Sequence, residues 1–326
     1  MNICFIGSSG HSYVVPESKR LQDKCDVAVG VAAGSVGENV EGLYNVLCRQ
    51  GHSPKRYNDY IDMLDELKPD IVVVDNYYGD HAKVSIEAFK RGCHVFADKP
   101  LATTLDSLGE LKIEHEKSGK KIAAMFTMRF ESEFRTAYKI MKSGAIGDVR
   151  LVNSQKSYKL GTRPEFYKSR ENFGGLIPWV GIHGIELIYL FSGSKFNYID
   201  ASCSAVGNFD NGELDIIAAG NFISESGIIS TLTIDYLRPA AANSHGDDRL
   251  RIVGSSGVLE VMNNKVRLIN ANGESDVELI EKTDIFADFV DYIEGKEDTS
   301  LNSEDAFYIT EVALKAQVCA DKKNIN

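Results

Sequence analysis

The sequence predicts an α/β protein, with a doubly wound parallel sheet followed by an α+β domain built on a mostly antiparallel open sheet. Over the first 124 residues, short apolar runs alternate with amphipathic stretches, which is the pattern of β-α-β units. From about residue 147, strand-like runs follow one another across short turns, as in an antiparallel sheet. We therefore predict a first domain over residues 1–124 and a second over residues 125–326.

The strands of the first domain are nearly all apolar, as expected where helices cover both faces of a sheet. They are predicted at Ile3–Ile6, Val27–Val31, Ile71–Val74, His94–Phe96 and Ile122–Phe126. The stretches between them have helical periodicity. They predict helices over Asn39–Arg49, Ile61–Leu67, His81–Arg91 and Leu105–Ser118.

The second domain is expected to contain both element types. Strands are predicted at Asp148–Tyr158, Tyr198–Val206, Ile216–Ile223, Ile228–Tyr236, Leu250–Val253, Val258–Val261 and Val266–Ile269. Helices are predicted over Glu131–Met141, Ile182–Leu190, Ile285–Ile293 and Ser303–Asp321, the last with Asn302 or Ser303 as its N-cap.

The composition limits the classes of partner. Of the 326 residues, 43 % are hydrophobic and 25 % are charged, which are ordinary values for a folded enzyme. The formal net charge of −11 disfavours nucleic acid and membrane surfaces, so we expect a small-molecule substrate. The six cysteines form no C-x-x-C pair, which predicts reduced thiols and no metal site. The first residues carry no charged leader and no apolar run is long enough to span a bilayer, so we expect a cytoplasmic protein.

The turn after the first strand, Gly7-Ser8-Ser9-Gly10-His11-Ser12, lies where a dinucleotide pyrophosphate binds in such sheets. The strict fingerprint has glycine at positions 7, 9 and 12, and only Gly7 matches, although Gly10 is close by. An ordinary strand-to-helix turn is the alternative interpretation. The end of the second strand has no acidic residue for the adenosine ribose and no arginine for a 2′-phosphate. The choice between NAD and NADP therefore stays open, and Ser35 suits either.

Residues 93–102 carry a segment that is similar to a known family. Asp98-Lys99-Pro100, at the end of a predicted strand, resembles the Glu-Lys-Pro of the glucose–fructose oxidoreductase/inositol dehydrogenase (Gfo/Idh/MocA) family. Further matches follow in order along nearly the whole chain. They are His81-Ala82, Met128-Arg129-Phe130, residues 143–147, Gly174-Gly175 with His183 and Glu186, residues 251–257 and residues 286–290.

The resemblance implies an N-terminal Rossmann-type domain that binds NAD or NADP and a C-terminal domain for substrate binding and oligomerisation. It also implies a dimer or tetramer formed through the second-domain sheet. The residues expected at the cofactor are Gly7, Ser8, Ser9, Gly10, His11, Ser35, Asn76, Tyr77, Tyr78, His81, Asp98, Lys99 and Pro100.

Lys99 and His183 are the predicted catalytic residues. Lys99 ends a strand at the carboxyl edge of the parallel sheet, where its ammonium suits a developing alkoxide, although a solvated loop lysine is the alternative. His183 suits proton transfer, although a half-buried structural histidine is the alternative. Members of the family commonly place an aspartate four residues before this histidine, and here that position is Trp179. Tryptophan accepts no proton but offers a flat apolar face to a sugar or nicotinamide ring. The proton relay then runs through Lys99 and His183 or recruits Tyr158, Tyr167 or Tyr236.

We therefore expect an NAD(P)-dependent dehydrogenase or reductase that acts on a CH–OH group of a sugar, a polyol or a related cyclic alcohol. The residues expected to line the substrate pocket are Arg129, Lys156, Tyr158, Arg163, Trp179 and Tyr236. Two alternatives stay open. One is an NAD-requiring, redox-neutral enzyme working by oxidation, elimination and reduction, as in glycoside cleavage. The other is a non-catalytic regulatory or binding protein that kept the fold.

Overall fold

The computed structural model describes residues 1–323 and divides the chain into two compact units. The first unit comprises Met1–Met125, Glu171–Gly174 and Asp284–Glu311. The second comprises Phe126–Arg170, Gly175–Thr283 and the chain from Val312 onward. The predicted boundary between residues 124 and 125 lies one residue before the end of the N-terminal segment of the first unit, at Met125. The stretch 284–311, which the sequence alone placed in the second domain, belongs to the first unit.

The first unit contains a parallel sheet of six strands within residues 1–323, in the order β3-β2-β1-β4-β5-β6. The strands are β1 (Asn2–Gly7), β2 (Val27–Ala32), β3 (Lys55–Tyr57), β4 (Ile71–Asp75), β5 (His94–Ala97) and β6 (Ile122–Ala124). The order reverses between β1 and β4, which is the point where ligands bind in open α/β sheets. The predicted doubly wound parallel sheet is confirmed. Strand β3 escaped prediction because its three residues are polar or half-exposed.

The helices of the first unit follow the predicted pattern, with ends shifted by one or two residues. They are α3 (Glu41–Arg49), α4 (Tyr60–Leu67), α5 (His81–Lys90), α6 (Leu105–Ser118) and α10 (Ile285–Ile293). The helical segment after the first strand is short and broken into α1 (Val14–Glu17) and α2 (Lys19–Gln22). The break falls at Ser18, which has an extended backbone and accepts a hydrogen bond from the backbone N–H of Arg20 as the N-cap of α2.

The second unit contains a sheet of eight strands within the described residues, in the order β14-β13-β12-β11-β7-β10-β9-β8. Only β10 and β7 pair in parallel, so the predicted mostly antiparallel sheet is confirmed. The strands are β7 (Val149–Tyr158), β8 (Phe196–Ser204), β9 (Ile217–Ser224), β10 (Ile229–Asp235), β11 (Gly246–Gly254), β12 (Gly257–Met262), β13 (Lys265–Asn270) and β14 (Gly273–Val277). Strand β11 begins four residues earlier than predicted, because its polar first half pairs with β7 from Gly246↔Tyr158 onward.

The helices of the second unit flank this sheet. They are α7 (Ser132–Lys142), α8 (Arg170–Phe173, shared between the units), α9 (Ile182–Ser192) and the end of α11 (Ser303–Asp321). A π-helical turn, Ile177–Gly181, leads into α9. By length and composition alone, the helical stretch Arg170–Ser192 would suffice to cross a membrane, with a mean hydropathy of 1.4 in its most apolar window. That window is 89 % buried inside the protein, as expected of a core helix.

Candidate active site

The turn after β1 folds onto the end of β4. Gly7 has a φ of +84°, and a Cβ there would lie 2.3 Å from the backbone nitrogen of Asn76. The backbone N–H of Ser9 donates to the carbonyl oxygen of Asp75 at 2.7 Å, and that of Ser12 donates to Asp75 Oδ2 at 2.9 Å. Gly7 is therefore required for the tight turn, and Asp75, which the sequence did not single out, anchors the turn.

Gly10 packs against two buried carboxyl groups. A Cβ at Gly10 would lie 1.9 Å from Oδ2 of Asp98 and 2.7 Å from Oδ1 of Asp75. Burial and the charge of Asp98 raise the pKa of Asp75 well above its ordinary value. Burial also opposes ionisation of Asp98, but the charges of His11 and Lys99 and the hydrogen bond from His11 lower its pKa. The two shifts are opposite in direction, so Asp98 is the more readily ionised member of the pair and Asp75 the more readily protonated one.

His11 contacts this acid pair directly. Its Nδ1 lies 2.9 Å from Oδ1 of Asp98, and its side chain is 24 % exposed. The ring also lies 5.9 Å from that of Tyr13. The turn thus presents a partly exposed imidazole that is held by a buried carboxylate.

Lys99 follows β5 at the carboxyl edge of the sheet. Its backbone N–H donates to Oδ1 of Asp98 at 2.8 Å, and Nζ lies 5.8 Å from the ring centroid of Tyr78. Lys99 as a whole is only 2 % exposed. The alternative of a solvated loop lysine is therefore wrong, because an ammonium is held inside only where charges or ligands compensate its desolvation.

His81, predicted at the cofactor, connects the loops after β4 and β5. The residue is fully buried, and its Nδ1 lies 2.8 Å from the carbonyl oxygen of Pro100. Its Nε2 lies 2.9 Å from the carbonyl oxygen of Asn76. These contacts join the loops after β4 and β5 through one imidazole, and the predicted contact of His81 with the cofactor stays a prediction.

Ser35, also predicted at the cofactor, is bound to the loop after β4. Its hydroxyl donates to Oδ2 of Asp80 at 2.7 Å and accepts from Nδ2 of Asn76 at 3.2 Å. The backbone N–H of Tyr77 adds a third hydrogen bond, at 3.3 Å. The loops after β2 and β4 are thus joined through one hydroxyl group.

Glu38, which the sequence did not single out, lies between the loops after β1 and β2. Its Oε2 accepts from the backbone N–H groups of Gly34 and Ser35 at 2.9 and 3.2 Å. Its Oε1 accepts from the hydroxyl of Ser9 at 2.6 Å and the backbone N–H of Ser8 at 3.4 Å. The carboxylate of Glu38 therefore joins the loops after β1 and β2.

The first unit fits a dinucleotide. A cavity of about 580 Å³ opens beside the turn, lined by Ser8, Gly10 and Ser12 and by residues of the segment 39–50. Oδ1 of the buried Asn76 has no hydrogen-bond partner within residues 1–323, which leaves an acceptor for a ligand. The same stretch of chain contains no group of three or more His, Cys, Asp or Glu arranged to hold a metal ion.

Three of the predicted substrate residues meet in the second unit, in an aromatic cluster of Arg163, Tyr167, Trp179 and Tyr236. The guanidinium carbon of Arg163 lies 4.6, 5.2 and 5.8 Å from the ring centroids of Tyr236, Trp179 and Tyr167. The ring of Trp179 lies 5.6 Å from that of Tyr236 and 4.3 Å from that of Tyr167. Burial, opposed by the charge of Arg163, raises the pKa of Tyr236 well above its ordinary value, so Tyr236 is a neutral phenol at pH 7.

Lys156 and Tyr158 share one acid beside this aromatic cluster. Nζ of Lys156 lies 2.8 Å from Oδ1 of Asp248, and the hydroxyl of Tyr158 donates to Oδ2 at 3.1 Å. Burial lowers the pKa of Lys156, although the charge of Asp248 works against the shift. The rings of Tyr158 and Tyr236 lie 6.4 Å apart, so both predicted substrate groups belong to one region of the second unit.

Arg129 lies in the interior of the second unit. Its Nε is 2.5 Å from Oε1 of Glu186, and the two side chains are 4 % and 0 % exposed. Arg129 therefore compensates a buried carboxylate, because an unpaired charge there would be strongly destabilising. The predicted substrate contact of Arg129 stays a prediction.

His183 is the second residue of α9 and is 6 % exposed. The preceding π-helical turn contains Trp179, which is 7 % exposed. A Cβ at the next residue, Gly184, would lie 2.4 Å from Cδ1 of Leu232, so α9 lies close against β10 at this point. Close packing of the helix on the sheet fixes the backbone that carries His183.

The comparisons with known proteins agree with this arrangement. Residues 2–126 match the family described as an oxidoreductase family with an NAD-binding Rossmann fold. Residues 134–260 match the Gfo/Idh/MocA C-terminal domain. The first unit therefore carries an NAD-binding Rossmann domain.

One similar solved structure is an oxidoreductase from Thermotoga maritima, 41 % identical over 98 % of both chains, with a TM-score of 0.95. Among curated proteins, glycosyl hydrolase family 109 protein 2 from Akkermansia muciniphila is 29 % identical over 56 % of this chain and 41 % of its own length. Inositol 2-dehydrogenase from Salmonella typhimurium is 27 % identical over 53 % of this chain and 50 % of its own length. The chain thus spans half the length, or less, of these curated relatives.

Proposed function

Because the chain belongs to the Gfo/Idh/MocA family of oxidoreductases, we propose that it is an NAD-dependent dehydrogenase or reductase of a CH–OH group. The substrate class is a sugar, a polyol or a related cyclic alcohol, as the similarity to inositol 2-dehydrogenase suggests. The observation that carries the proposal is the burial of Lys99, an ammonium 2 % exposed at the carboxyl edge of an NAD-binding sheet.

In the proposed reaction, Lys99 donates a hydrogen bond to the reacting oxygen and stabilises the alkoxide as it forms. Bound NAD supplies the hydride acceptor. A histidine takes the hydroxyl proton, and His183 is the candidate that the sequence alone supplies. The aromatic cluster offers flat apolar faces to a sugar ring, with the Arg163 guanidinium beside them as a donor.

Glu38 supports NAD rather than NADP as the cofactor. Its carboxylate accepts hydrogen bonds from groups of the loops after β1 and β2, among them the Ser9 hydroxyl. A ribose hydroxyl would donate to the carboxylate in the same way as Ser9. A 2′-phosphate brought to that place would meet a negative charge at close range. We therefore propose that the ribose contact is present and that it is displaced along the chain.

The proposed function is tested by following NADH formation over a panel of polyols and sugars. We expect turnover with at least one member and a loss of about 10³-fold in kcat for Lys99→Met, because the alkoxide loses its charge partner. The matched control is Lys90→Met, which removes an exposed lysine of α5 that pairs with Glu87. Equal turnover of the two variants would remove Lys99 from the mechanism.

A redox-neutral reaction is the second proposal, supported by the similarity to the glycosyl hydrolase and by Trp179 in place of a carboxylate. It requires NAD but produces no net NADH. The test measures release of sugar from a panel of glycosides. Release that depends on added NAD, without a change in NADH absorbance, would favour this reaction over the dehydrogenase. The regulatory alternative predicts neither activity, and calorimetric titration with NADH and NADPH tests whether this chain binds a cofactor at all.

We further propose that the protein works as a homo-oligomer in the cytoplasm. All six cysteines are free thiols, as expected in a reducing compartment. The sheet of the second unit carries a cavity of about 440 Å³ lined by residues of β7, β10, β11 and β12, among them Thr231, Arg251 and Met262. Sedimentation at micromolar concentration tests this: a single species near 36 kDa would contradict the oligomer.

A further inference from the structure

Arg163 is a half-buried cation of the second unit that has no acidic partner. Within residues 1–323 it forms no ion pair, and its Nε is buried without a hydrogen-bond partner. Its Nη2 donates one hydrogen bond, to the carbonyl oxygen of Lys159 at 3.3 Å. A guanidinium has five N–H donors, so Arg163 retains donors for a ligand.

The rings of the aromatic cluster hold this guanidinium without neutralising it. The ring centroids of Tyr236, Trp179 and Tyr167 lie 4.6 to 5.8 Å from its central carbon. Aromatic rings attract a cation through their quadrupoles, but they carry no net charge. Because a charge withdrawn from water without a counter-ion is costly, an anion would complete the site.

The neighbouring charged residues do not supply that anion. Asp248 is already paired with Lys156, at 2.8 Å. Lys159 is a second cation that forms no ion pair with any residue the structure describes. Burial and the charges of Arg163 and Lys159 lower the pKa of His245, although the charge of Asp248 opposes the shift. The region is therefore locally positive in a chain whose formal net charge is −11.

We propose that the substrate is a sugar acid whose carboxylate binds Arg163 beside the rings of the aromatic cluster, and this inference rests on the proposed function. Nε and one Nη of a guanidinium form a planar fork that matches the two oxygens of a carboxylate. A singly charged carboxylate suits this site better than a phosphate dianion, because Nζ of Lys159 is already bound to the carbonyl oxygen of Ala242 at 2.5 Å. Arg163 then selects the substrate and takes no part in the transfer of the proton or the hydride.

Matched pairs of alcohols test the inference: galacturonate with galactose, glucuronate with glucose, and gluconate with sorbitol. For at least one pair, we expect kcat/KM of the acid to exceed that of its neutral partner by about 10- to 100-fold, because charge-assisted hydrogen bonds are strong. Arg163→Met should bring this ratio close to one. Arg163→Lys should keep part of it, since lysine keeps the charge without the fork. Calorimetric titration of the NADH-loaded protein with the same compounds measures their binding independently of turnover.

The control is Arg150→Met, which removes an exposed arginine of β7 paired with Asp148 and should keep the ratio of the wild type. If the neutral alcohols are oxidised and no acid is preferred in turnover or in binding, the inference is overturned while the proposed function stands. A preference that Arg163→Met retains, or a stronger preference for glucose 6-phosphate over glucose, also overturns it. Acids whose binding depends on Arg163 but which are not oxidised would support the anion site and overturn the proposed function.

Discussion

Two histidines of the predicted sites, His11 at the cofactor and His183 in catalysis, lie in contrasting surroundings. His11 is on a turn, 24 % exposed in its side chain, against a buried ionised acid. His183 is near the start of an almost wholly buried helix, 6 % exposed, on a backbone fixed by the close approach of Gly184 to Leu232. The first environment is governed by charge and the second by packing. Changes of charge should therefore affect the function of the first unit, and changes of volume should affect the stability of the second.

The largest expected effect tests the proton transfer proposed for His183. The side chain of His183→Asn accepts no proton, so kcat should fall by about 10²- to 10⁴-fold. His11→Asn, which alters a residue predicted at the cofactor and keeps a donor toward Asp98, should change KM for NAD more than kcat. Steady-state kinetics of both variants measure the two parameters. A larger loss of kcat in His11→Asn than in His183→Asn would contradict the role of His183.

The second effect concerns the cofactor. Glu38→Gln keeps the size of the side chain and removes its charge, so the affinity for NADPH should rise by about tenfold while that for NADH falls slightly. Calorimetric titration with each cofactor measures the ratio. Glu41→Gln, which alters an exposed acid paired with Arg56 in the same region, is the control. An unchanged ratio of the two affinities would show that Glu38 does not select the cofactor.

The third effect tests the packing that holds His183. Gly184→Ala should lower the free energy of unfolding by about 1–3 kcal/mol, because the new methyl group would lie 2.4 Å from Leu232 Cδ1. Gly109→Ala in α6 is the control, since nothing lies within 4 Å of its Cβ position, and it should raise stability by about 0.5–1 kcal/mol. Urea unfolding compares the two, and equal stabilities would contradict tight packing at Gly184.

The smallest effect is the pH dependence due to Asp75. Its pKa is raised in the folded protein, so protonation favours the folded state at low pH. This contribution is lost as pH rises from the unfolded pKa of about 4 through the folded pKa, with a slope of at most about 1.4 kcal/mol per pH unit. Asp75→Asn stays neutral, so its free energy of unfolding should fall less steeply than that of the wild type as the pH rises. Urea unfolding between pH 5 and 8 measures the slope, and equal slopes would mean that Asp75 ionises freely.

Much of the fold could be predicted because a buried segment has a recognisable pattern of apolar residues. The run Ile71–Val74 is apolar throughout and is a central strand, whereas Lys55–Tyr57 is a polar edge strand without such a pattern. Lys99 was predicted at a strand end, and it lies there. Glu38 and Asp75 were missed because their roles depend on contacts with Ser9 and Ser12, which are distant in sequence. Spacing within one segment does not encode such contacts.

Trp179 is the only tryptophan of the chain, and its neighbours give it an optical use. Tyr167 and Tyr236 lie close enough to pass excitation to its indole, and the Arg163 cation over the rings polarises the excited state. The indole emission of the protein therefore comes from one residue, which lies in the aromatic cluster. A sugar that displaces Arg163 would shift the wavelength and lifetime of the Trp179 emission. The protein therefore contains its own fluorescent probe for identifying the substrate.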